Sequence, residues 1–290
     1  MATVEVNTWD ELKTAIQNDW TENKTINIMS DIDVSDTILT AGLTKPLNSY
    51  TITINGNSHK INGITSYSSM FLFTLNRATI NDLHFSNISA AQATFSTSNG
   101  WYSDAEGQCV WKKCYVNGIL KQVCGNNAYN SRYSDYQYYQ NCSFNIKSFV
   151  IAGNSYEAEG VFFNCYILYE TFLTSTSYPT YLGGYFNNCY IGGKFEYDRT
   201  GSAAMSDLIS ASHPVRSCFN LEFINHATGS LRVDMDETSS QYTLFNADKM
   251  TNPSTTTYVF ANQMVNLTDS EMKNPAVISQ RTNNTFLYQD

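Results

Sequence analysis

Apolar residues along this chain fall in short alternating runs, not in the i, i+3, i+4 stripes of helices, and this patterning predicts strands over most of its length. The run Thr25–Val34 alternates as one strand. Residues Ile52–Gly63 divide into two short strands around a Gly-Asn turn. Ahead of them, Thr8 is followed three residues later by Glu11, a capping box that predicts a short helix to about Asn18. Further on, a single frame recurs. It reads apolar, two mostly polar residues, Cys or Leu, a variable residue, then usually an apolar one. The copies centre on Leu83, Cys114, Cys142, Cys165, Cys189 and Cys218, at spacings of 31, 28, 23, 24 and 29. Repetition at 20 to 50 residues is the signature of a solenoid.

The frame carries its own geometry. Cys and the residue two beyond it share one strand face. The apolar residue three before Cys would point to the opposite face of a straight strand. Both point inward only if the chain bends between them. Asn before the Cys suits such a bend, because Asn tolerates the left-handed backbone region. Each repeat therefore reads as a coil with a sharp corner, with Cys142, Cys165 and Cys189 stacked as an internal ladder beside Asn141, Asn164 and Asn188. The copy at Cys218 departs from the frame. Asn220 falls on its inward position while Phe219, Leu221 and Phe223 alternate on the other phase, so either a bulge shifts the frame or this coil is built differently.

Composition narrows the picture. Of 290 residues only 15% are charged, against about 25% in ordinary domains, and the net charge is −9. The chain holds 31 asparagines, 20 tyrosines and 16 phenylalanines. Strong helix formers are scarce, which excludes a helical bundle. The acidity argues against nucleic acid as a partner, and the short apolar runs against membrane insertion. Met1–Lys13 has no apolar segment of the secretory kind, so the expectation is synthesis in a cytoplasm without a signal peptide. The seven cysteines are odd in number, form no CxxC, and have only four histidines for company, so buried free thiols are expected and no metal site. No cofactor is implied.

The order of capping helix, alternating strand, Ile54–Gly63 turn and Asn-cornered coils resembles the N-terminal part of pectin-lyase-like right-handed parallel β-helix proteins. The likeness covers about residues 4 to 225, in pattern more than in identity, and the Ile54–Gly63 segment and the Asn corners carry it most specifically. It implies an all-β fold, a single-stranded right-handed parallel β-helix with a short N-terminal capping helix and an irregular C-terminal cap. The expected division is an N-terminal cap over 1–24, coils over 25–239, and a cap or docking tail over 240–290. The tail contains strand-like runs at 244–247 and 259–262 and a second capping box at Thr268–Glu271. No particular reaction is implied, because the same architecture hosts lyases, hydrolases, adhesins and phage tail or fibre proteins.

Glycoside hydrolysis needs paired carboxylates. The pairs two apart are Asp104 with Glu106, Glu157 with Glu159, Glu196 with Asp198, and Asp234 with Asp236. Each also reads as solvated loop or outer-face acids, and no corner gathers acids over successive coils. Asp31, Asp33 and Asp36 lack the Gly and closing Glu of a calcium loop and read as turn and strand-edge acids. His84 occupies an outward, variable slot. Tyrosines crowd one stretch: Tyr129, Tyr133, Tyr136, Tyr138 and Tyr139, with Arg132 and Asp135 among them. Tyr with Asn and Asp suits sugar stacking, protein contacts or a covering loop, and all three readings stand. Tyr129, Arg132, Tyr133, Asp135, Tyr136 and Tyr138 are the candidate ligand residues, with Tyr166, Tyr169 and Tyr190 extending the same face.

These features favour a non-enzymatic virion structural or adhesion protein: a bacteriophage fibre, decoration or tail-associated component. Its expected partners are other virion proteins, further copies of itself in a homo-oligomer, or a bacterial surface glycan. The alternative is a polysaccharide depolymerase, a lyase or glycoside hydrolase acting on such a glycan.

Overall fold

In the computed structural model, the described residues are 1–18, 20–34, 37–46, 48–68, 70–97, 108–124, 137–147, 160–175, 185–199, 218–225, 231–233, 244–246, 256–258, 264–265, 268 and 270. Where apolar residues alternate, the chain forms short strands. Because each coil places its strands beside those of the next, all strand pairing among the described residues is parallel. One sheet stacks Ala2–Val6, Lys24–Ile28, Ile52–Asn55, Ala78–Asn81, Cys109–Lys112, Gln137–Gln140, Gly160–Phe163 and Tyr185–Asn187 in that order. The second contains Ile32–Asp33, Lys60–Asn62, His84–Thr97, Tyr115–Cys124, Ser143–Ile146, Tyr166–Ser175, Tyr190–Arg199, Cys218–Asn225, Leu244–Asn246 and Met264–Val265. The fold is an all-β parallel β-helix. The N-terminal helix, Trp9–Gln17, buries Trp9, Leu12, Ala15 and Ile16, and its capping box is formed: Thr8 Oγ1 accepts from the Glu11 N–H, and the Glu11 carboxylate accepts from the Thr8 N–H.

The two sheets meet at a corner in each coil. Asp82, Lys113, Asn141, Asn164 and Asn188 occupy successive corners with φ of 49°, 53°, 55°, 53° and 57°. Each is left-handed, which turns the chain by enough to bury residues on both sides. Before the corner come Ile80, Trp111, Tyr139, Phe162 and Phe186; after it come Leu83, Cys114, Cys142, Cys165 and Cys189, and all ten are buried. The corners are bonded coil to coil. Asn141 N–H donates to Phe163 O at 2.9 Å and Asn164 N–H to Asn187 O at 3.0 Å. Their side-chain amides bond in the opposite direction: Asn164 Nδ2 donates to Asn141 Oδ1 at 3.2 Å, and Asn188 Nδ2 to Asn164 Oδ1 at 2.8 Å. A second asparagine column, Asn27, Asn55 and Asn81, bonds likewise in the earlier coils at 2.9 and 3.0 Å.

The core repeats as stacked rows. Trp111, Tyr139, Phe162 and Phe186 stack nearly parallel, with interplanar angles of 13° to 17°. The thiols donate to carbonyls at the corner, Cys165 Sγ to Tyr139 O at 3.4 Å and to Phe163 O at 3.3 Å. Burial pushes the Cys109, Cys114, Cys142 and Cys165 thiols well above their ordinary value. Cys here serves as a small apolar filler with a weak donor.

One expectation is corrected and one open alternative is decided. Thr25–Val34 is not one strand but two, Lys24–Ile28 in the first sheet and Ile32–Asp33 in the second. The chain turns at Met29, which is 46% exposed, and the turn keeps Ile28 and Ile32 on the same phase, so alternation alone conceals it. The copy at Cys218, left open between a shifted frame and a different build, is a shifted frame. Tyr190 pairs with Cys218 and Ile191 with Phe219, so Cys218 leaves the thiol column and Asn220 comes opposite Gly192. The second sheet continues through Leu244–Asn246 and Met264–Val265, so strands stack within the segment read from sequence as a cap.

Replacing Asn164 with Ala puts a less tolerant residue into the left-handed region and removes two amide bonds. The expected loss is about 1–3 kcal/mol. Asn164→Gly keeps the backbone freedom and is expected to lose less, about 1 kcal/mol. Denaturant unfolding of the three proteins checks the order.

Candidate functional site

In the second sheet the residues between buried positions face outward, and the register sets them in columns. Lys60, His84, Tyr115, Ser143, Tyr166 and Tyr190 form one such column. Asp31 precedes it, its carboxylate accepting the Lys60 N–H at 3.0 Å. Two residues along each strand, Asp33 pairs with Asn62 and Asn62 with Ser86. Over the first four coils these columns line an open depression of about 600 Å³, bounded by Asp31, Asp33, Lys60, Asn62, His84, Ser86, Asn87 and Tyr115. That volume lies within the range of small-molecule sites, about 300–1,000 Å³.

Its polar groups are tied to one another. Asn62 Nδ2 donates to Asp33 Oδ1 at 3.4 Å, and Asn62 Oδ1 accepts from Ser86 Oγ at 3.2 Å and from Asn87 Nδ2 at 2.6 Å. Asn87 reaches this row because the strand is bulged between Phe85 and Ile88, with Asn87 at φ 53°. Bulges redirect side chains in this way beside functional sites. At the far end, the His84 ring meets the Tyr115 ring edge-on, centroids 6.2 Å apart, and Asn117 Nδ2 donates to Tyr115 Oη at 3.3 Å. His84 Nε2 lies 3.8 Å from an Asp82 oxygen. The Lys60 N–H, and after it the His59 ring at 3.2 Å, hold the Asp31 carboxyl below its ordinary value of 3.8. The result is a hydrogen-bonding surface with aromatic edges. The Asp31 and Asp33 carboxylates are engaged with neighbours, and among the described residues no group of three or more His, Cys, Asp or Glu could hold a metal.

The sequence-predicted ligand residues fare differently. Tyr129, Arg132, Tyr133, Asp135 and Tyr136 lie outside the described residues. Tyr138 is half-buried on the outer side of the first sheet, between Val110 and Val161. It does not share a face with Tyr166, which stands on the second sheet, because the Asn141 corner separates the two sheets. Tyr139, counted with the crowd of tyrosines, is a core residue. Its ring stacks in the aromatic row and its hydroxyl lies 2.7 Å from Ser96 Oγ. Tyr190 is not available to a ligand either, being only 1% exposed. It lies flat on Tyr166 at 4.9 Å and takes a hydrogen bond from Asn220 Nδ2 at 2.8 Å. Its ring also fills the space at Gly192, where a Cβ would come within 2.6 Å of it. For Tyr169 only the backbone is described, in the strand Tyr166–Ser175. Of the acid pairs, Glu196 and Asp198 lie in the strand Tyr190–Arg199, and the other three pairs lie outside the described residues, as does Asp36.

Residues 3–108 match the family model of the pectate lyase-like adhesive domain. The chain has a pectate-lyase-like β-helix fold. The matched stretch contains every residue lining the depression except Tyr115. No curated protein and no solved structure matches the chain.

Sequence reasoning missed this face, although it placed His84 outward. The usable signal was the residue following the Leu or Cys of the frame, which gives His84 and Tyr115 at the depression and Ser143 and Tyr166 further along the same column.

Because Asp31 titrates lower when folded than unfolded, it adds stability at pH above the ordinary carboxylate range and loses it as pH falls through that range. The unfolding midpoint of Asp31→Asn is therefore expected to vary less between pH 5 and pH 2 than that of the parent. Equal slopes in an acid series of thermal melts would contradict the bonding described.

Proposed function

We propose that the chain is a non-enzymatic adhesion protein that holds a bacterial surface glycan on the depression of its second sheet, and that it works as a bacteriophage fibre, decoration or tail-associated component. One observation carries the reading: a prearranged row of carboxylate, amide and hydroxyl groups, ending in the His84–Tyr115 ring pair, lies almost wholly within the stretch that matches an adhesive domain. Sugars are held by such fixed polar groups together with aromatic faces. The row is tied by its own hydrogen bonds, so little side-chain freedom is lost when a ligand settles on it. The low charge and abundant Asn, Ser and Thr of the coils suit a protein that works at a particle surface, alongside other virion proteins or further copies of itself.

The double variant His84→Ala/Tyr115→Ala removes the rings while leaving the buried rows intact. Binding to immobilised bacterial surface polysaccharides is expected to weaken about tenfold or more, with an unchanged thermal midpoint. Equal binding by parent and variant overturns the site. Antibody detection in purified phage particles is expected for the virion assignment, and recovery in the bacterial envelope alone overturns that part.

A further inference from the structure

We infer that the ligand of this face is a neutral, extended β-linked glycan lying parallel to the solenoid axis, with one sugar unit over each coil. The inference rests on the adhesion reading above and adds the class and orientation of the ligand.

Register sets the spacing of the face. Asp33, Asn62 and Ser86 are paired residues of successive parallel strands, as are Lys60, His84 and Tyr115. Strands stack at about 4.8 Å, so an outward-facing position recurs along the axis at that interval with little sideways offset, bearing a different side chain at each coil. An extended β-1,4-linked pyranose chain has nearly the same repeat. Across the axis the face is narrow. Its two columns stand two residues apart, about 7 Å, which is room for one ring and no more. The strands beneath its first two coils are also short, Ile32–Asp33 and Lys60–Asn62. The depression is therefore long in one direction only.

Chemistry selects among polymers of that shape. Asp31 and Asp33 stand at the first coil and Asp82 beside His84, against one lysine, Lys60, in the lining. Fixed carboxylates repel a uronic acid polymer, and the face lacks the clustered Arg or Lys that an anionic chain calls for. Hydroxyl groups of a neutral sugar, in contrast, can donate to the carboxylates and exchange bonds with Asn62, Ser86 and Asn87. The ring pair at the Tyr115 end offers an apolar stop for the last sugar.

The test titrates the full chain calorimetrically with two series of glucose oligomers of one to six residues, one β-1,4-linked and extended, the other α-1,4-linked and curled. In the β series affinity is expected to climb with length to four residues, one for each coil of the depression, and then level off. The tetramer should bind at least tenfold more tightly than the dimer. The α series should gain nothing beyond two residues. In Tyr115→Ala, checked for an unchanged thermal midpoint, the β-linked tetramer should bind no better than the trimer does to the parent protein. Equal affinity for the β-linked monomer and tetramer, or equal gains in the two series, overturns the axial arrangement while polysaccharide adhesion stands. Failure of every oligomer to bind, with surface polysaccharides still retained through His84 and Tyr115, overturns the neutral β-linked class. Loss of polysaccharide binding as well removes the adhesion reading itself.

Discussion

Everything in this molecule depends on a backbone corner repeated in register. The left-handed residues at Asp82, Lys113, Asn141, Asn164 and Asn188 let each coil bury its chain on both sides of a sharp turn. Left-handed backbone is costly for residues other than Gly and tolerable for Asn, whose amide can bond locally. The cost is offset because the corners bond to the neighbouring coil, through the backbone N–H groups of Asp82, Lys113, Asn141 and Asn164 and through side-chain amides from Asn141 to Asn188. A slip of one residue would break those bonds and turn each strand's apolar set outward. Register is thereby fixed, and with it the alignment of outward residues that forms the depression.

The same corner accounts for cysteine usage. The position after the bend lies close against the previous coil, so it takes a small apolar side chain, and the thiol finds a carbonyl of its own corner and another from the preceding coil. Burial raises the Cys114, Cys142 and Cys165 thiols well above their ordinary value, so these three are held protonated and poor nucleophiles. Their role lies in packing. A polar spot in the interior follows the same logic: Ser96 Oγ joins the Gln137 amide oxygen at 2.9 Å and the Tyr139 hydroxyl, so a tyrosine can enter the aromatic row without an orphaned oxygen.

The coil, the corner and the capping helix were legible because each is encoded within a few residues: a Thr8–Glu11 pair, an Asn before a Cys, two apolar residues that cannot share a straight strand. The corner at Met29 was hidden because it preserves the phase of alternation. The outward face was harder still. Its members come from segments separated by 23 to 31 residues, so their adjacency depends on coil lengths and on the bulge at Asn87, neither of which any local pattern states. Tyrosine density was a poor guide for a related reason. Tyr138, Tyr139 and Tyr190 look alike in sequence, yet one stands on the other sheet, one is core and one is sealed by Tyr166 and Asn220.

The most direct measurement is a map of backbone amide shifts in the isotopically labelled chain as a bound surface glycan is titrated in. The account predicts that the shifts concentrate at Asp31 to Asp33, Lys60 to Asn62, His84 to Asn87 and Tyr115, with the first sheet silent. Shifts centred instead on residues 129–138, with the second-sheet face unmoved, would contradict it.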